Sequence, residues 1–143
     1  MIAIKRIQKE DIPTGLQEQL ETLYKELNSE IEQLTLKEVL ITLNPAEVVC
    51  AFDGTRLIGI AMMAKYNVIS GYKGMIEDVV VSKNYRGQGI GRKLMELLLE
   101  RAKKCKLNDV LLFSGHHRTP AIGLYKSLGF QLKNSGLYVK KMI

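Results

Sequence analysis

The sequence has 143 residues, of which 46% are hydrophobic and 25% are charged, and its formal net charge is +6. This length predicts a single domain, residues 1–143, whose core needs no disulfide, and no apolar run approaches the ~20 residues of a membrane-spanning helix. Basic residues are spread along the chain without a nucleic-acid-binding motif, so a small polyphosphate ligand explains the charge better than nucleic acid does.

The amino-terminal residues and the cysteines predict the cellular location. Residues 1–5 alternate as a strand does and lack the basic-then-apolar layout of an export signal. Cys50 and Cys105 are too few and too far apart for a disulfide framework or a zinc site. We therefore expect a cytoplasmic protein without a metal.

The first third of the chain predicts a strand and two helices. Alternation indicates a strand over residues 2–7, and apolar spacing indicates an amphipathic helix that Asp11 caps, with Pro13 in its first turn. A second helical stretch covers residues 31–40. Packing on the core explains most residues of both helices, but their junction could also wall a substrate site.

Three antiparallel strands follow, at residues 48–52, 57–64 and 74–81. Asp53-Gly54 between the first two is a strong hairpin signal. Residues 67–73 read as a loop. The third strand then runs through a glycine-rich bend into an amphipathic helix that closes near Lys104.

The last third predicts a short buried strand at residues 110–113, parallel to the strand at 74–81. Thr119 then caps a short helix with Pro120 at its first position, and Gly129 ends this helix in a left-handed conformation. Residues 130–139 indicate a terminal hairpin. The predicted order is strand, two helices, three strands, helix, strand, helix and two strands.

The glycine-rich bend carries the clearest chemical signal. Gly87, Gly89 and Gly91 allow the backbone N–H groups to turn inward, and the first turn of the next helix adds unpaired donors and the positive end of its dipole. This combination predicts a cradle for a pyrophosphate. Arg92 stands where a dinucleotide fingerprint has its third glycine, and no Lys-Ser/Thr pair follows Gly91 as in a P-loop. A turn that is rich in glycine for geometric reasons alone is the alternative.

Two segments resemble motifs of the GNAT superfamily of N-acetyltransferases. Arg86-x-x-Gly89-x-Gly91 after a hydrophobic strand resembles the acyl-CoA-binding signature, and residues 121–130 (AIGLYKSLGF) resemble the later A-x-x-(F/L)-Y-x-x-x-G-F segment. The resemblance covers essentially the whole chain. It implies an α/β (α+β) GNAT fold, with a mixed, mostly antiparallel sheet of about six to seven strands, helices on both faces and a splayed parallel strand pair at the centre.

The resemblance also implies acetyl-CoA as the acetyl donor. In the family, acyl-CoA enters the splay, where freed main-chain groups pair with the pantetheine arm as with a substitute strand. The residues that would bind it form one stretch, and Tyr125 joins them at the sulfur: Val79, Val80, Val81, Arg86, Gly87, Gln88, Gly89, Ile90, Gly91 and Arg92. Core packing of the valines is compatible with this role, because the implied contacts use the main chain.

Three side chains match or suggest catalytic roles in a direct attack of an amine on the thioester. Tyr125 matches the family tyrosine that donates a proton or a hydrogen bond to the leaving thiolate, since a phenol is protonated at neutral pH. Glu77 and Asp78 are candidates for the base. Because strand side chains alternate, only one of them is expected to face the cleft. The resemblance favours Glu77, since several GNAT enzymes carry a carboxylate from this strand near the amine. A water relay is the alternative to both.

The acceptor is the least determined part of the sequence. His116, His117 and Arg118 precede the Tyr125 helix, where many relatives have asparagine at the position of Arg118. This loop could bind a phosphate or carboxylate, or supply the base, or be a plain polar surface loop. Residues 76–87 resemble the corresponding strand of glucosamine-6-phosphate N-acetyltransferases, so that amino-sugar phosphate is one candidate beside protein N-termini, polyamines and amino acids.

We therefore expect an N-acetyltransferase that uses acetyl-CoA and acts on a small amine. Its expected partners are these two small molecules, with no nucleic acid and no membrane, and a homodimer is left open. An acyl-CoA-binding regulatory module without turnover is the first alternative. A nucleic-acid-binding domain is the second.

Overall fold

The computed structural model describes residues 1–115 and 118–143 and contains two compact units. The sheet unit, residues 1–113, contains β1 (Ile2–Ile7), α1 (Leu16–Tyr24), α2 (Leu36–Leu40), β2 (Glu47–Asp53), β3 (Arg56–Val68), β4 (Gly71–Val81), α3 (Ile90–Lys104) and β5 (Asp109–Leu112). The C-terminal unit, residues 114–143, contains α4 (Thr119–Ser127). Short 3-10 turns lie at Lys9–Asp11 and Lys83–Tyr85.

The sheet has the order β1-β2-β3-β4-β5. Strands β1 to β4 are antiparallel to their neighbours and β5 is parallel to β4, as the sequence predicts. A β-carbon added to Gly59 would lie 3.3 Å from Leu94 on α3, whereas the next residue, Ile60, packs into the core cluster that contains Leu20 of α1. Because strand side chains alternate, α1 and α3 cover opposite faces of the sheet.

The helices bury one apolar stripe each, as their spacing predicts. Leu16, Leu20 and Leu23 of α1 recur at helical intervals and are 8% exposed or less, and Leu94 and Leu98 of α3 are fully buried. Removing such a side chain from water stabilises a fold by about 1.5–3 kcal/mol. The two stripes therefore hold the helices on the sheet.

Both helices before β2 are shorter than the sequence predicts. The first begins at Leu16 and not at Asp11, because Ile12 is extended (φ −70°, ψ 116°), as the residue before a proline prefers. The second begins at Leu36 and not at residue 31. Thr35 and Glu38 form a capping box there, which marks a helix start inside the predicted helical stretch.

The predicted loop at residues 67–73 is wrong. Strand β3 continues to Val68 and β4 begins at Gly71, so two residues connect them. Gly71 has φ +141°, a conformation that side chains rarely adopt, and this permits the tight connection.

The predicted terminal hairpin, and with it the count of six to seven strands, is also wrong for the described residues. Residues 130–143 contain no assigned strand, so the sheet ends at β5 and the parallel pair lies at its edge and not at its centre. A two-stranded hairpin alone is only marginally stable, and the described part of the C-terminal unit has no sheet for it to extend. In α4 the cap residue is Arg118 and not Thr119, whereas the left-handed Gly129 is confirmed (φ +95°).

Over residues 1–115 and 118–143, none of the helices is both long and apolar enough to span a bilayer. The same residues contain no group of three or more potential metal ligands, and both cysteines are free thiols.

Candidate active site

Pairing between β4 and β5 stops before β4 ends. The paired residues run from Lys73 with Asp109 to Ile76 with Leu112, whereas β4 continues to Val81. Residues 77–81 therefore pair with β3 on one edge and are not paired with β5 on the other. Main-chain groups that β5 leaves unused can pair with an extended ligand. Strand β5 ends at Leu112, so it leaves this edge of the three valines unpaired, as the expected splay requires, and Val80 is buried in the core.

A β-bulge lies in the same stretch. Between Glu77 and Val80, β4 has two residues opposite a single residue of β3. The first of the two, Asp78, has φ +54°. Aspartate is among the few residues that adopt this left-handed conformation at low cost. The bulge gives the Asp78 side chain an orientation that regular strand alternation does not predict, whereas Glu77 keeps its regular pairing with Met62.

Asp78 accepts a hydrogen bond from the last residue of α1, since Tyr24 Oη lies 3.0 Å from Asp78 Oδ1. Burial and the Asp78 carboxylate raise the pKa of Tyr24 to about 12, so the phenol is protonated and donates. Glu77 is exposed, yet partial desolvation and the adjacent Asp78 charge raise its pKa. No ion pair of the described residues includes Glu77 or Asp78. The two carboxyl groups are thus adjacent acidic groups without an ion-pair partner in the part of the chain that the structure describes.

A cavity of about 310 Å³ lies between α1, the segment before α2 and the sheet. Asp78 is in its lining and Glu77 is not, so the structure places the second of the two base candidates there. The lining is mostly apolar: Leu20, Tyr24, Ile31, Leu34, Leu36, Val39, Val48, Ile60 and Met62, with Glu32, Gln33, Thr35 and Asp78 as the polar members. The junction of the two first helices, where a substrate wall is predicted, forms one side of this cavity.

The glycine-rich loop after β4 has the geometry of an anion cradle. Gly87 and Gly89 have φ +80° and +77°, and a β-carbon at either would meet no atom within 4 Å. Gly89 caps α3, whose first turn contains no acidic side chain and includes Gly91. A 15-residue helix leaves its first N–H groups without intrahelical partners, and its dipole favours an anion there.

The arginines and their neighbours in the loop have distinct environments. Arg86 Nε donates to the Val81 carbonyl at 3.1 Å, which orients the guanidinium without using all five of its donors. Arg92 is exposed on the first turn of α3, with Nε 4.0 Å from Glu96 Oε2. Gln88 is exposed and Ile90 is 3% exposed, so Ile90 can offer a ligand only its main chain.

Two long-range contacts hold this loop. Tyr85 Oη donates to Asp53 Oδ2 at 2.7 Å, and this hydrogen bond is the main reason that the pKa of Asp53 is lowered and that of Tyr85 is raised. The backbone N–H of Lys83 donates to Glu26 Oε1 at 3.0 Å. The end of α1 therefore contacts both the bulge and the loop.

The remaining predicted residues belong to the C-terminal unit. Tyr125 lies on α4, where its ring packs edge-on against Phe130 with a centroid distance of 6.1 Å and an interplanar angle of 66°. The backbone N–H of Arg118 donates to the Gly115 carbonyl at 3.0 Å. His116 and His117 lie outside the described residues.

A second acidic group of the sheet unit is not predicted from the sequence. Glu47 at the start of β2 is 1% exposed, and its oxygens accept from Arg6 Nε (3.0 Å), Lys65 Nζ (2.9 Å) and Arg101 Nε (2.6 Å). Burial alone would raise the pKa of Glu47, but hydrogen bonds from Lys65 and Arg101 and the charges around it outweigh burial and hold the pKa at about 2. This cluster joins three strands and α3.

These features define a sheet-and-helix domain with a parallel pair that ends early and a left-handed glycine loop at the N-terminus of α3. The chain matches the acetyltransferase (GNAT) family over residues 10–130 and therefore belongs to that family. It is 28% identical over 100 residues to an uncharacterized N-acetyltransferase of Porphyra purpurea, which covers 66% of this chain and 54% of that protein. The chain spans about half the length, or less, of the curated relatives it matches.

Solved structures share the fold. An aminoglycoside acetyltransferase from an uncultured soil metagenomic sample has a TM-score of 0.82 and 18% identity, covering 99% of this chain and 96% of that chain. Glucosamine-6-phosphate N-acetyltransferase from Arabidopsis thaliana has a TM-score of 0.76 and 19% identity, covering 100% and 99%. At these identities the similarity shows the fold alone. It confirms the GNAT fold predicted from the two motifs.

Proposed function

We propose that this chain is an acetyl-CoA-dependent N-acetyltransferase that acts on the primary amine of a small molecule. The observation that carries the proposal is the end of β4. Residues 77–81 continue beyond the pairing with β5 and lead directly into a left-handed glycine loop at the N-terminus of α3. A strand edge and a phosphate cradle in series suit a ligand with an amide-containing arm and a pyrophosphate, which is the chemistry of coenzyme A.

In this proposal the donor lies along one continuous stretch of chain. The main chain of Val79 and Val81 pairs with the amides of the pantetheine arm. The N–H groups from Gly87 to Gly91 bind the pyrophosphate, and Arg86 and Arg92 add positive charge. The formal net charge of +6 also favours the approach of this anionic donor.

The reaction is a direct transfer. The neutral amine attacks the thioester carbonyl carbon, so that an N–C bond forms and the C–S bond breaks. The proton that the nitrogen loses passes to Glu77 or Asp78, directly or through water, and the leaving thiolate takes a proton from Tyr125. The raised pKa of Glu77 makes it a better proton acceptor than an ordinary glutamate.

The amino-sugar phosphate and protein N-termini are alternative acceptors, and an acyl-CoA-binding regulatory module is the alternative without turnover. The relatives include a glucosamine-6-phosphate N-acetyltransferase and an N-alpha-acetyltransferase of Dictyostelium discoideum. We propose a cytoplasmic location, which the two free cysteines support.

Calorimetric titration with acetyl-CoA tests the donor site. Gly87→Ala is expected to weaken binding about tenfold, because a β-carbon at φ +80° costs roughly 1–2 kcal/mol or displaces the loop. Gly15→Ala is the matched control, since Gly15 has φ +81° and equally open surroundings but caps α1. The control should lose stability and keep its affinity. Equal affinity in all three proteins, or no binding by the unmodified chain, would contradict the donor site.

Release of free thiol from acetyl-CoA tests turnover. Tyr125→Phe is expected to bind acetyl-CoA normally and to release thiol at least about tenfold more slowly, since the thiolate then departs without its donor. A regulatory module would instead bind acetyl-CoA and release no thiol with any primary amine, in both proteins.

A further inference from the structure

The cavity beside Asp78 has an apolar wall that the fold does not cover. Ile31 and Leu34 lie in its lining, and their side chains are 51% and 65% exposed. Both belong to the segment between α1 and α2, where the capping box at Thr35 holds the chain out of a helix. Large apolar side chains that are exposed beside a cavity lose contact with water when a ligand with an apolar surface fills it.

The charge of the cavity is opposite to that of the whole chain. Its described lining contains two carboxylates, Asp78 and Glu32, and no lysine, arginine or histidine. A phosphate or carboxylate in this cavity would lose its water without gaining a cation, which is costly. An ammonium group would meet a carboxylate, so the cavity favours a cation.

The Asp78 carboxylate is the position in the cavity at which the ammonium group of such a ligand would bind. It lies in the cavity lining and also in the stretch 77–81 that the proposed function assigns to the donor. The hydrogen bond from Tyr24 fixes Oδ1 at 3.0 Å, and the bulge sets the side chain toward α1. An amine held at Asp78 therefore lies on the strand that would hold the thioester, with its arm among Leu34, Val39 and Met62.

We propose that this cavity is the acceptor site and that it selects primary amines with an apolar alkyl or aryl arm and no anionic group. A volume of about 310 Å³ suits a small molecule of this kind and is at the lower end of ligand pockets. The inference rests on the proposed function. It names the substrate class and ranks the amino-sugar phosphate low among the acceptors.

Four probe amines test the selection, each in a binding titration and in a thiol-release assay with acetyl-CoA. Phenethylamine has an aryl arm and no anion, phenylalanine adds only a carboxylate, ethanolamine replaces the arm by a hydroxyl, and glucosamine 6-phosphate carries a phosphate. We expect kcat/KM and affinity for phenethylamine to exceed those for each of the other three by at least about tenfold.

A charge change at the mouth of the cavity sharpens the test. Leu34→Lys should lower kcat/KM for phenethylamine about tenfold and raise it for glucosamine 6-phosphate, because it places a cation in the lining. Leu43→Lys makes the same change at a leucine that is 106% exposed and outside the cavity lining, and it should alter neither value. Both leucines are exposed, so neither variant is expected to unfold the chain.

The outcomes separate this inference from the proposed function. Turnover of glucosamine 6-phosphate or phenylalanine above that of phenethylamine overturns the inference and leaves the acetyltransferase proposal standing. Binding of phenethylamine that Leu34→Lys weakens, without thiol release from any amine, overturns the acetyltransferase proposal and with it the acceptor role, and leaves the cavity as an amine-binding site. Equal effects of Leu34→Lys and Leu43→Lys overturn the cavity as the acceptor site.

Discussion

Two acidic sites on the same sheet differ in whether the described residues supply them with cationic partners. Glu47 is enclosed by three cations on β1, β3 and α3, and its pKa is held at about 2. Asp78 and Glu77 on β4 form no ion pair with any described cation, and the first of them lines a cavity. The first carboxylate is neutralised by cations of the fold, whereas the described residues give the second pair no cation.

The presence or absence of cationic partners can separate a structural charge from a functional one. Both sites contain carboxylates with altered surroundings, so burial or a shifted pKa alone does not distinguish them. Their partners do. Removing Glu47 should damage the fold, and removing Asp78 should damage the activity.

The largest expected effect is on stability at Glu47. Glu47→Gln leaves Arg6, Lys65 and Arg101 without their counter-charge and replaces one acceptor oxygen by an NH2 donor that faces a cation. It should lower the free energy of unfolding by about 3 kcal/mol in urea denaturation at neutral pH. Glu100→Gln is the control, because Glu100 is 57% exposed and its pair with Lys104 contributes at most ~0.5 kcal/mol. Similar losses in both variants would show that the cluster does not stabilise the fold.

The pH dependence of stability in acid should also differ between Glu47→Gln and the unmodified chain, in a direction that the pKa of Glu47 determines. The pKa of Glu47 falls from the ordinary 4.5 to about 2 on folding, so its contribution is fully present above pH 4.5 and is lost as the pH falls toward 2. The stability of Glu47→Gln should therefore fall less steeply over this range than that of the unmodified chain.

The next effect is on catalysis at Asp78. Asp78→Asn should lower kcat/KM about a hundredfold for the amine that the unmodified chain acetylates fastest, because the acceptor loses its counter-charge. Asparagine also tolerates φ +54°, so the free energy of unfolding should change by less than ~1 kcal/mol. A stability loss as large as that of Glu47→Gln would remove the distinction between the two sites.

A smaller effect is expected at Tyr24. Tyr24→Phe removes the hydrogen bond that orients Asp78, and a bond to a charged acceptor contributes about 1.5 kcal/mol or more, which corresponds to about a tenfold loss in kcat/KM. Tyr72→Phe is the control, since Tyr72 is exposed at the far end of β4. Normal activity of Tyr24→Phe would show that Asp78 needs no orientation by α1.

The smallest effect is in the pH profile. Because the pKa of Glu77 is raised, protonation of Glu77 should reduce kcat/KM at a higher pH than an ordinary glutamate would. Glu77→Gln should remove this part of the acidic limb and lower the plateau only a few-fold. An unchanged profile would leave Asp78 or a water relay as the base.

The sequence predicts the donor side of the site because its signals are local. Gly87 and Gly89 indicate a left-handed loop. The β-branched run before them indicates the strand, and the apolar spacing after them indicates the helix. The capping box at Thr35 and Glu38 was equally local and could have shortened the second predicted helix. These features depend on neighbours within a few residues.

The contact between Tyr24 and Asp78 and the Glu47 cluster are not predicted, because their residues are distant along the chain. Tyr24 and Asp78 are 54 residues apart, and Glu47 meets cations 18 to 54 residues away. Alternation allows only one of Glu77 and Asp78 to face the cleft, and the resemblance to the family favoured Glu77. Only the pairing with β3 reveals the bulge that contains Asp78. Pairing registers of this kind depend on the whole sheet.

The bulge also makes the length of β4 as important as its composition. Ile76 pairs with Met63, which lies on the α3 face of the sheet by strand alternation from Gly59. Val80 pairs with Ile60, which packs in the core under α1. In a regular strand two residues that are four positions apart, as Ile76 and Val80 are, would lie on the same face. Deleting Val79 would straighten the ladder and leave Val80 opposite Ile60, but it would place Asp78 opposite Ala61, on the α3 face and away from Tyr24. The length of β4 at this point therefore decides whether a carboxylate reaches the cavity.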